Sequence, residues 1–313
     1  MKSNVIKYLI NSSWFLTGMV LTLGFILLHL ELISYGISFF IFFPFFLGFA
    51  VGTLDKNGRI WSSLIVGVIA FLGTLLTLGL EGLFCVLMAF PLFGVSVLVG
   101  HFLRSKLIKK SKSDQQIKIS FIPLLGLILM DNVEQHLAPK PQLEEIESSV
   151  VLPYDAVEVF HMVKQMDTLN ADKPIALKIG LPTPYKCVLY GDTVGSLRVC
   201  KFQNGEIIAK IKAYNPGKLL EMEVIDYTLT GREWFHFEDA SYDFERNGDS
   251  TKITRKSSYS SVLRPRFYWK PLEIWGIEQE HRFVLMSLYK NLKEANEKDH
   301  PSWRNRISGA AAK

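Results

Sequence analysis

The sequence predicts an α+β protein: an N-terminal bundle of four or five transmembrane helices, followed by a soluble domain in which a curved antiparallel sheet surrounds a long C-terminal helix. Long apolar runs without charged residues fill the first third of the chain. Short segments of alternating polarity, separated by turn signals, fill most of the rest. Apolar residues then recur every three or four positions near the C-terminus. The 313 residues are 49% hydrophobic with a mean hydropathy of +0.19, which is too apolar for a purely soluble protein.

Four apolar runs carry no Asp, Glu, Lys or Arg over the roughly 17 to 25 residues that a helix needs to cross a bilayer. They cover residues 14–30, 33–54, 60–80 and 82–103. A fifth and shorter run, residues 119–130, is preceded by Lys118 and followed by Asp131 and Glu134. It is either a re-entrant or interfacial segment or a fifth crossing, and its charge order favours the crossing. Glycines such as Gly48 inside these runs would let helices approach closely.

Positive charges set the expected orientation. Lys and Arg occur near the N-terminus, between residues 55 and 59, and in the block 104–118, whereas the other two connectors carry only Glu31 and Glu81. The positive-inside rule then predicts a multi-pass protein of the cell (inner) membrane with a cytoplasmic N-terminus. With five crossings the C-terminal domain is extracytoplasmic, and with four it is cytoplasmic. The net charge of +5 follows from this pattern and does not predict a nucleic-acid surface.

The remaining chain is expected to form one soluble domain. Residues 131–142, with Pro139 and Pro141, are the expected linker after a membrane region at 1–130; the domain covers 143–298 and a tail covers 299–313. Alternation and turn residues predict strands at 145–152, 185–190, 196–202, 206–214, 219–228, 235–246 and 250–260, and helices at 156–166 and 268–298. One apolar stripe on the last helix contains Ile274, Ile277, His281, Val284, Leu288 and Leu292.

A set of residues in this domain suggests a family. They are Gly180, Leu181, Pro182, Gly195, Arg198, Cys200, Phe202, Gly205, Trp234, Ala240, Tyr242, Phe244, Tyr259, Leu263, Pro265, Tyr268, Trp269, His281, Val284 and Leu285. The order of elements resembles the helix-grip fold of the START-like, or SRPBCC, superfamily, and these residues are similar to uncharacterised bacterial multi-pass membrane proteins with a C-terminal SRPBCC domain. The resemblance covers about residues 143–297. It implies a cavity between sheet and helix, but this superfamily includes polyketide cyclases, lipid-transfer domains and pollen allergens, so the fold alone does not give the function.

The function expected from this arrangement is binding of a hydrophobic or amphiphilic molecule, a lipid or lipid-like ligand, near the membrane surface. Apolar residues on the alternating strands and the last helix would cover its body, while Arg255, Tyr259 and His281 would orient a polar end. The candidate ligand-binding residues are Arg198, Ile207, Ile211, Leu220, Met222, Tyr242, Arg255, Tyr259, Trp269, Ile277 and His281. A buried arginine needs an anionic partner, which is either Glu278 or the head group of a ligand.

Two other functions stay open. The first is an enzyme of the cyclase, aromatase or dehydratase type, with His281 and Tyr259 as acid and base. The second is an interaction or regulatory module with a filled core. The chain lacks a phosphate-binding glycine loop, a His-Glu-x-x-His motif and metal-spaced clusters, so no cofactor and no metal is expected and catalysis is the less favoured interpretation.

Cys187 and Cys200 lie about symmetrically across the turn that follows Tyr190, which predicts that they are cross-strand neighbours. Such a pair forms either a disulfide or two unpaired core thiols. A disulfide would support an oxidising compartment and hence the fifth crossing.

Overall fold

A computed structural model of the chain describes residues 13–54, 60–77, 82–107, 122–229 and 234–299. The chain divides into two compact units. The first unit contains Met1–Pro141 together with Val262–Leu272, and the second contains Gln142–Ser261 together with Glu273–Lys313. Because each unit is assembled from two separate stretches of chain, the predicted soluble domain at 143–298 does not correspond to one unit.

The first unit is built of apolar helices. They are α1 (Ser13–His29), a short π-helical segment (Ser38–Phe42) that runs into α2 (Phe43–Leu54), α3 (Ile60–Thr77), α4 (Leu83–Leu107) and α5 (Ile122–Leu137). Within the described residues, one helix, over Leu83–Lys106, is long and apolar enough to cross a membrane by length and composition, and the other apolar helices are shorter. The predicted bundle of four or five spans is therefore unsupported. Most of the basic block, residues 108–118, and the start of the fifth run lie outside the described residues.

Two carboxylates of α5 bind the backbone ahead of the π-helical segment. Asp131 accepts hydrogen bonds from the backbone N–H of Ser34 at 2.9 Å and from its hydroxyl at 2.5 Å. Glu134 accepts from the N–H groups of Ile37 and Ser38, each at 2.8 Å. Carboxylates are favourable at a helix start because the first N–H groups have no partner within the helix.

This capping changes two predicted boundaries. The second apolar run does not become helical at residue 33, because residues 30–36 form a turn; Asp131 binds Ser34 in this turn, and Glu134 binds the two residues that follow it. The fifth run does not give way to a linker at residue 131, since α5 continues to Leu137 and uses Asp131 and Glu134 for these contacts. The two acidic residues that suggested the end of a membrane span are therefore structural partners of an earlier helix.

Close packing joins α2 and α4. A Cβ atom added at Gly48 would lie within 3.0 Å of the backbone carbonyl of Val97, and one at Gly100 would lie within 3.0 Å of the backbone carbonyl of Phe45. The glycines therefore let the two backbones approach more closely than a side chain would permit, as the sequence predicts for Gly48.

The segment Val262–Leu272 also packs within the first unit. The N–H of Arg264 donates to the carbonyl oxygen of Tyr35 at 3.1 Å. The ring of Trp269 lies 4.8 Å from that of Phe40, and the hydroxyl of Tyr268 donates to the carbonyl oxygen of Met88 at 2.5 Å. This aromatic segment includes the start of the long C-terminal helix α8 (Arg266–Asp299).

The second unit is one antiparallel sheet of eight strands in the order β1-β8-β7-β6-β5-β4-β3-β2. The strands are β1 (Glu144–Leu152), β2 (Gln165–Met166), β3 (Pro184–Tyr190), β4 (Leu197–Phe202), β5 (Gly205–Asn215), β6 (Leu219–Tyr227), β7 (Phe235–Asn247) and β8 (Ser250–Ser261). Two short helices, α6 (Ala156–Lys164) and α7 (Ile175–Lys178), connect β1 to β3 around the small strand β2. From β2 to β8 each strand pairs with the next one in sequence, and β1 pairs with β8 at the other edge of the sheet.

The curled sheet packs on the part of α8 that follows Leu272. Contacts run along the helix from Glu273 to Asn291, whose side-chain amide donates to the carbonyl oxygen of Thr168 at 2.7 Å. The predicted antiparallel sheet around a long C-terminal helix is thus confirmed. The two-residue strand β2 was not predicted. It takes up Gln165 and Met166, so α6 ends at Lys164 and not at the predicted Met166.

Candidate ligand-binding site

Strand β8 presents a row of polar side chains to α8. Successive residues of a strand point to opposite faces, so Arg255, Ser257, Tyr259 and Ser261 share one face. Each of these four side chains forms a hydrogen bond with a side chain of α8. The space between the sheet and the helix is therefore crossed by polar contacts along β8, and apolar contacts surround them.

His281, on α8, faces the middle of this row and has no exposed surface. Its Nε2 atom lies 2.9 Å from the hydroxyl of Ser257, and its Nδ1 atom lies 3.1 Å from the hydroxyl of Ser148 on β1. Burial, together with the nearby positive charge of Arg255, lowers the pKa of His281 from 6.5 to about 2. The imidazole is thus neutral at physiological pH, and the two serines provide the donor and acceptor that its nitrogens need.

A second buried contact lies two helical turns earlier. Glu273 is 8% exposed and accepts hydrogen bonds from the hydroxyl of Tyr259 at 3.2 Å and from that of Ser261 at 2.7 Å. Next to it, the ring of Phe235 stacks on Tyr259 with 4.6 Å between ring centroids. Tyr259 is therefore held both through its hydroxyl and through its ring.

The third contact is an ion pair between Arg255 and Glu280, with 2.9 Å between Nη2 and Oε2. Burial acts to lower the pKa of Arg255, but Glu280 and Tyr242 together outweigh it and the net direction is upward. The predicted partner Glu278 is instead exposed. In addition, the Nε and Nη1 atoms of Arg255 are buried without a hydrogen-bond acceptor.

Arg198 on β4 reaches the same region and is 3% exposed. Its Nη2 atom donates to the carbonyl oxygen of Val163, in the last turn of α6, at 2.8 Å. Its Cζ atom lies 5.3 Å from the ring centroid of Tyr242, and that of Arg255 lies 5.7 Å from the same centroid. Two guanidinium groups therefore contact one aromatic ring in the interior.

The apolar part of the helix-facing surface is closed at one end and partly open at the other. Ile211, Leu220 and Met222 are buried beside Tyr242, and Ile277 is buried on α8. The partly exposed end, here called the open wall, consists of Ile207, Val224, Phe235, Phe237 and Ile274.

Register places the open wall on the helix-facing side of the sheet. Ile207 lies two residues before the buried Ala209 on β5, so the two side chains share one face of the sheet. Val224 of β6 pairs with Ala209, and Phe237 of β7 pairs with the buried Tyr259. Phe235, Phe237 and Ile274 also pack on the buried cluster formed by Ile146, Tyr259 and Ile277. The open wall therefore continues the hydrophobic interior and is not part of the outer face.

The structure brings together ten of the eleven candidate ligand residues on the helix-facing side of the sheet and on α8. These are Arg198, Ile207, Ile211, Leu220, Met222, Tyr242, Arg255, Tyr259, Ile277 and His281. Trp269 is the exception, because it packs on Phe40 in the first unit and its indole N–H donates to the carbonyl oxygen of Arg264.

Several residues of this region were not predicted from the sequence. Glu273 lies four and eight residues before Ile277 and His281, so helical spacing alone would have placed it on the same face. Phe237 lies two residues after Phe235 on β7, so alternation would have placed the two side chains on the same face. Ser148 gave no signal, because a serine in a strand is common on either face.

Cys187 and Cys200 are direct partners in the β3–β4 register and are joined by a disulfide, with 4.1 Å between their Cα atoms. In the part of the chain that the structure describes, no group of three or more His, Cys, Asp or Glu side chains is arranged to hold a metal ion. The described side chains of the site form an apolar wall with two arginines beside it.

Neither protein-family models nor curated proteins gave a match to this chain. Several solved structures are similar to part of this chain. A START superfamily protein from Mycobacterium smegmatis is 12% identical with a TM-score of 0.35, covering 48% of this chain and 98% of that one. The Zhui aromatase/cyclase from Streptomyces sp. R1128 is 10% identical with a TM-score of 0.36, covering 50% and 96%. Norcoclaurine synthase from Thalictrum is 15% identical with a TM-score of 0.35, covering 50% and 99%.

Proposed function

We propose that the second unit binds a hydrophobic or amphiphilic ligand, a lipid or lipid-like molecule, between its sheet and α8. The observation that carries this proposal is the open wall: five apolar side chains on the helix-facing side of the sheet and on α8 keep part of their surface exposed. Apolar side chains on the inner side of a domain are normally buried against one another. A wall that is left uncovered on this side is suited to the apolar body of a ligand.

The physical driving force is removal of apolar surface from water. Each Å² that a ligand covers contributes roughly 25 cal/mol, so a lipid chain lying along the open wall gains several kcal/mol. Specificity would then come from the few polar side chains beside the wall.

The alternative of acid–base catalysis by His281 has less support. Both ring nitrogens already contact serine hydroxyls, so neither is available for proton exchange with a substrate in this conformation. Tyr259 is equally buried and donates to Glu273. The geometry thus favours a structural role for these two residues.

Native mass spectrometry of the full chain, purified in a mild neutral detergent, tests ligand binding. We expect a discrete adduct that denaturation removes, either as purified or after incubation with a lipid extract. The variant Val224→Trp places a large ring on the open wall and should lose the adduct. Its control is Ile225→Trp, at the next position, which is 50% exposed, and this variant should keep the adduct. A wild-type chain with no adduct under either condition would refute binding and favour the interaction module with a filled core.

We also propose that the first unit anchors the chain in the cell membrane as a multi-pass protein. Helix α4 has 25 residues, and at 1.5 Å per residue it exceeds the roughly 30 Å hydrocarbon core. Its side chains Leu87, Phe90, Val95 and Phe102 are exposed, as they would be toward lipid. The four long apolar runs of the sequence contain no Asp, Glu, Lys or Arg. The shorter helices that lie in these runs would therefore make further crossings.

The proposed orientation has a cytoplasmic N-terminus and an extracytoplasmic second unit. The contacts of Ser34 to Ser38 with Asp131 and Glu134 support this orientation, because in it the connector after α1 and the end of α5 lie on the same side of the membrane. This agrees with five crossings and is also compatible with the disulfide.

Labelling of single cysteines by a membrane-impermeant maleimide tests this orientation. In spheroplasts of cells that express the full chain, Lys140→Cys should react without lysis. Asn57→Cys, in the basic connector predicted to be cytoplasmic, should react only after lysis. The reverse pattern would place the second unit in the cytoplasm, and recovery of the chain in the soluble fraction would contradict membrane anchoring.

A further inference from the structure

Arg198 is a buried charge whose surroundings leave it incompletely compensated. Its contacts are the carbonyl oxygen of Val163, the sulfur of Met222 at 3.8 Å and the ring of Tyr242. Among the described residues, no carboxylate pairs with this guanidinium, and its Nε atom is buried without an acceptor. Burying a guanidinium costs several kcal/mol unless an anion or several good acceptors compensate it.

A second guanidinium adds to this imbalance. Arg255 contacts the same Tyr242 ring, and only its Nη2 atom reaches Glu280, which leaves Nε and Nη1 without acceptors. For two guanidinium groups there is thus one carboxylate, Glu280, which pairs with Arg255, and three of their nitrogen atoms are buried without acceptors. Neutral His281 contributes no charge to balance them.

The position of Arg198 connects it with the open wall. Arg198 pairs directly with Ala209 on β5, and Ala209 pairs with Val224 of the wall on its other side. The neighbouring inward position of β4, Cys200, pairs with Ile207 of the wall. A molecule that lies along the wall therefore has one end beside the strand that carries Arg198.

We propose, on the basis of the proposed ligand binding, that the ligand carries an anionic oxygen head group and that Arg198 binds this group beside Tyr242, with Arg255 as the second donor. A carboxylate or phosphate oxygen accepts strong, short hydrogen bonds from guanidinium N–H groups, and its charge offsets the buried positive charge. A neutral alcohol, ester or sterol would leave that charge unbalanced. The ligand class is a single-chain or double-chain amphiphile with a carboxylate or a phosphate at its head.

Three probes with the same chain separate head-group chemistry from chain binding. The full chain in a neutral maltoside detergent is titrated with oleate, with oleoyl lysophosphatidic acid, or with methyl oleate, and the bound fraction is measured by native mass spectrometry. Hydrogen bonds to charged groups contribute about 1.5–3 kcal/mol, so we expect at least one anionic probe to bind roughly tenfold or more tightly than methyl oleate. The tighter of the two anions identifies a carboxylate or a phosphate as the head group.

Arg198→Met tests the residue. Methionine fills a similar length without charge, and replacing an unpaired buried charge by an apolar side chain is tolerated or stabilising, so this variant should fold. It should lose most of the preference for the anionic probes over methyl oleate, because Arg255 is then the only guanidinium left beside Tyr242 among the described residues. Arg282→Met, at an exposed position of α8, should keep the preference for the anion. Should Arg198→Met fail to fold, Arg198→Lys keeps the charge but loses the planar donors and should reduce the preference without abolishing it.

The outcomes distinguish the two proposals. Equal binding of all three probes by the wild-type chain, or an anion preference in a folded Arg198→Met variant that is as large as in the wild type, would overturn the head-group inference and leave ligand binding intact. No binding of any probe, methyl oleate included, would overturn ligand binding itself.

Discussion

The neutral state of His281 makes the second unit sensitive to acid in a way that can be calculated. In the unfolded chain this histidine has a pKa near 6.5, whereas in the folded unit its pKa is lowered to about 2. Below pH 6.5 the unfolded chain therefore binds a proton that the folded unit does not bind, and the free energy of unfolding decreases as the pH falls. The decrease starts near pH 6.5 and would end only near the folded pKa.

The expected size follows from the linkage relation, in which one pH unit corresponds to about 1.36 kcal/mol per proton. Between pH 8 and pH 5, His281 alone should cost about 2 kcal/mol, a large part of a typical domain stability of roughly 5–15 kcal/mol. Above pH 5 most carboxylates have not begun to titrate, so the histidine contribution can be separated from theirs.

The assay is urea unfolding of the full chain in a neutral detergent at pH 8 and pH 5, followed by the circular dichroism of the sheet. The variant His281→Gln keeps a donor and an acceptor for Ser257 and Ser148 but has no titrating group. It should lose about 2 kcal/mol of the pH dependence. His161→Gln, at an exposed position of α6, is the matched control and should not remove this contribution. If His281→Gln shows the same pH dependence as the wild type, the assignment of a buried neutral histidine is wrong.

Three further predictions concern stability. The double variant Cys187→Ser, Cys200→Ser removes a link with a sequence separation of 13, and loop entropy predicts a loss of about 3 kcal/mol by urea unfolding; an unchanged midpoint in a non-reducing buffer would argue against the disulfide. Glu273→Ala leaves the hydroxyls of Tyr259 and Ser261 without this acceptor and should cost about 2–4 kcal/mol in the same assay, while Glu273→Gln should cost less; equal effects would contradict the two hydrogen bonds. Gly100→Ala forces α2 and α4 apart and should lower the stability by about 1–3 kcal/mol in a thermal unfolding assay. Gly94 lies on the same helix, and a Cβ atom added there would have no neighbour within 4 Å, so Gly94→Ala should be neutral or stabilising. A reversed order of the two variants would refute the close packing.

Local patterns were sufficient for most of the second unit. Alternation on β8 correctly predicted that Arg255 and Tyr259 face inward, because the period of a strand fixes its two faces. The turn after Tyr190 correctly predicted the pairing of Cys187 with Cys200. Spacing on α8 predicted the inward position of His281 in the same way.

Contacts between distant elements were not predictable in this way. Glu278 and Glu280 both lie within one turn of His281, and only the register of α8 against β8 determines that Glu280 meets Arg255. Asp131 and Glu134 were interpreted as flanking charges of a membrane span. Their true partners lie almost a hundred residues earlier, and no local pattern indicates such a contact.

Trp269 shows the same difficulty for a whole segment. Its position in the sequence is next to the helix stripe that covers the sheet, and it was therefore assigned to the ligand site. Its neighbours in the fold are instead Phe40 and Arg264. A change of packing partner along one continuous helix has no signature in hydrophobic periodicity, because both halves of the helix remain apolar on one side.

The discontinuous composition of both units has a consequence for biosynthesis. Tyr35 and Phe40 leave the ribosome more than two hundred residues before Arg264 and Trp269, with which they pack. The strands β1 to β8 are likewise complete before the residues of α8 that cover them have been made. Neither unit can reach its final packing until Val262–Leu272 and the rest of α8 have been synthesised, and the apolar inner face of the sheet stays uncovered until then. Expression of residues 1–141 or 142–261 alone would leave each fragment without its last packing element, so both fragments should depend on chaperones or aggregate.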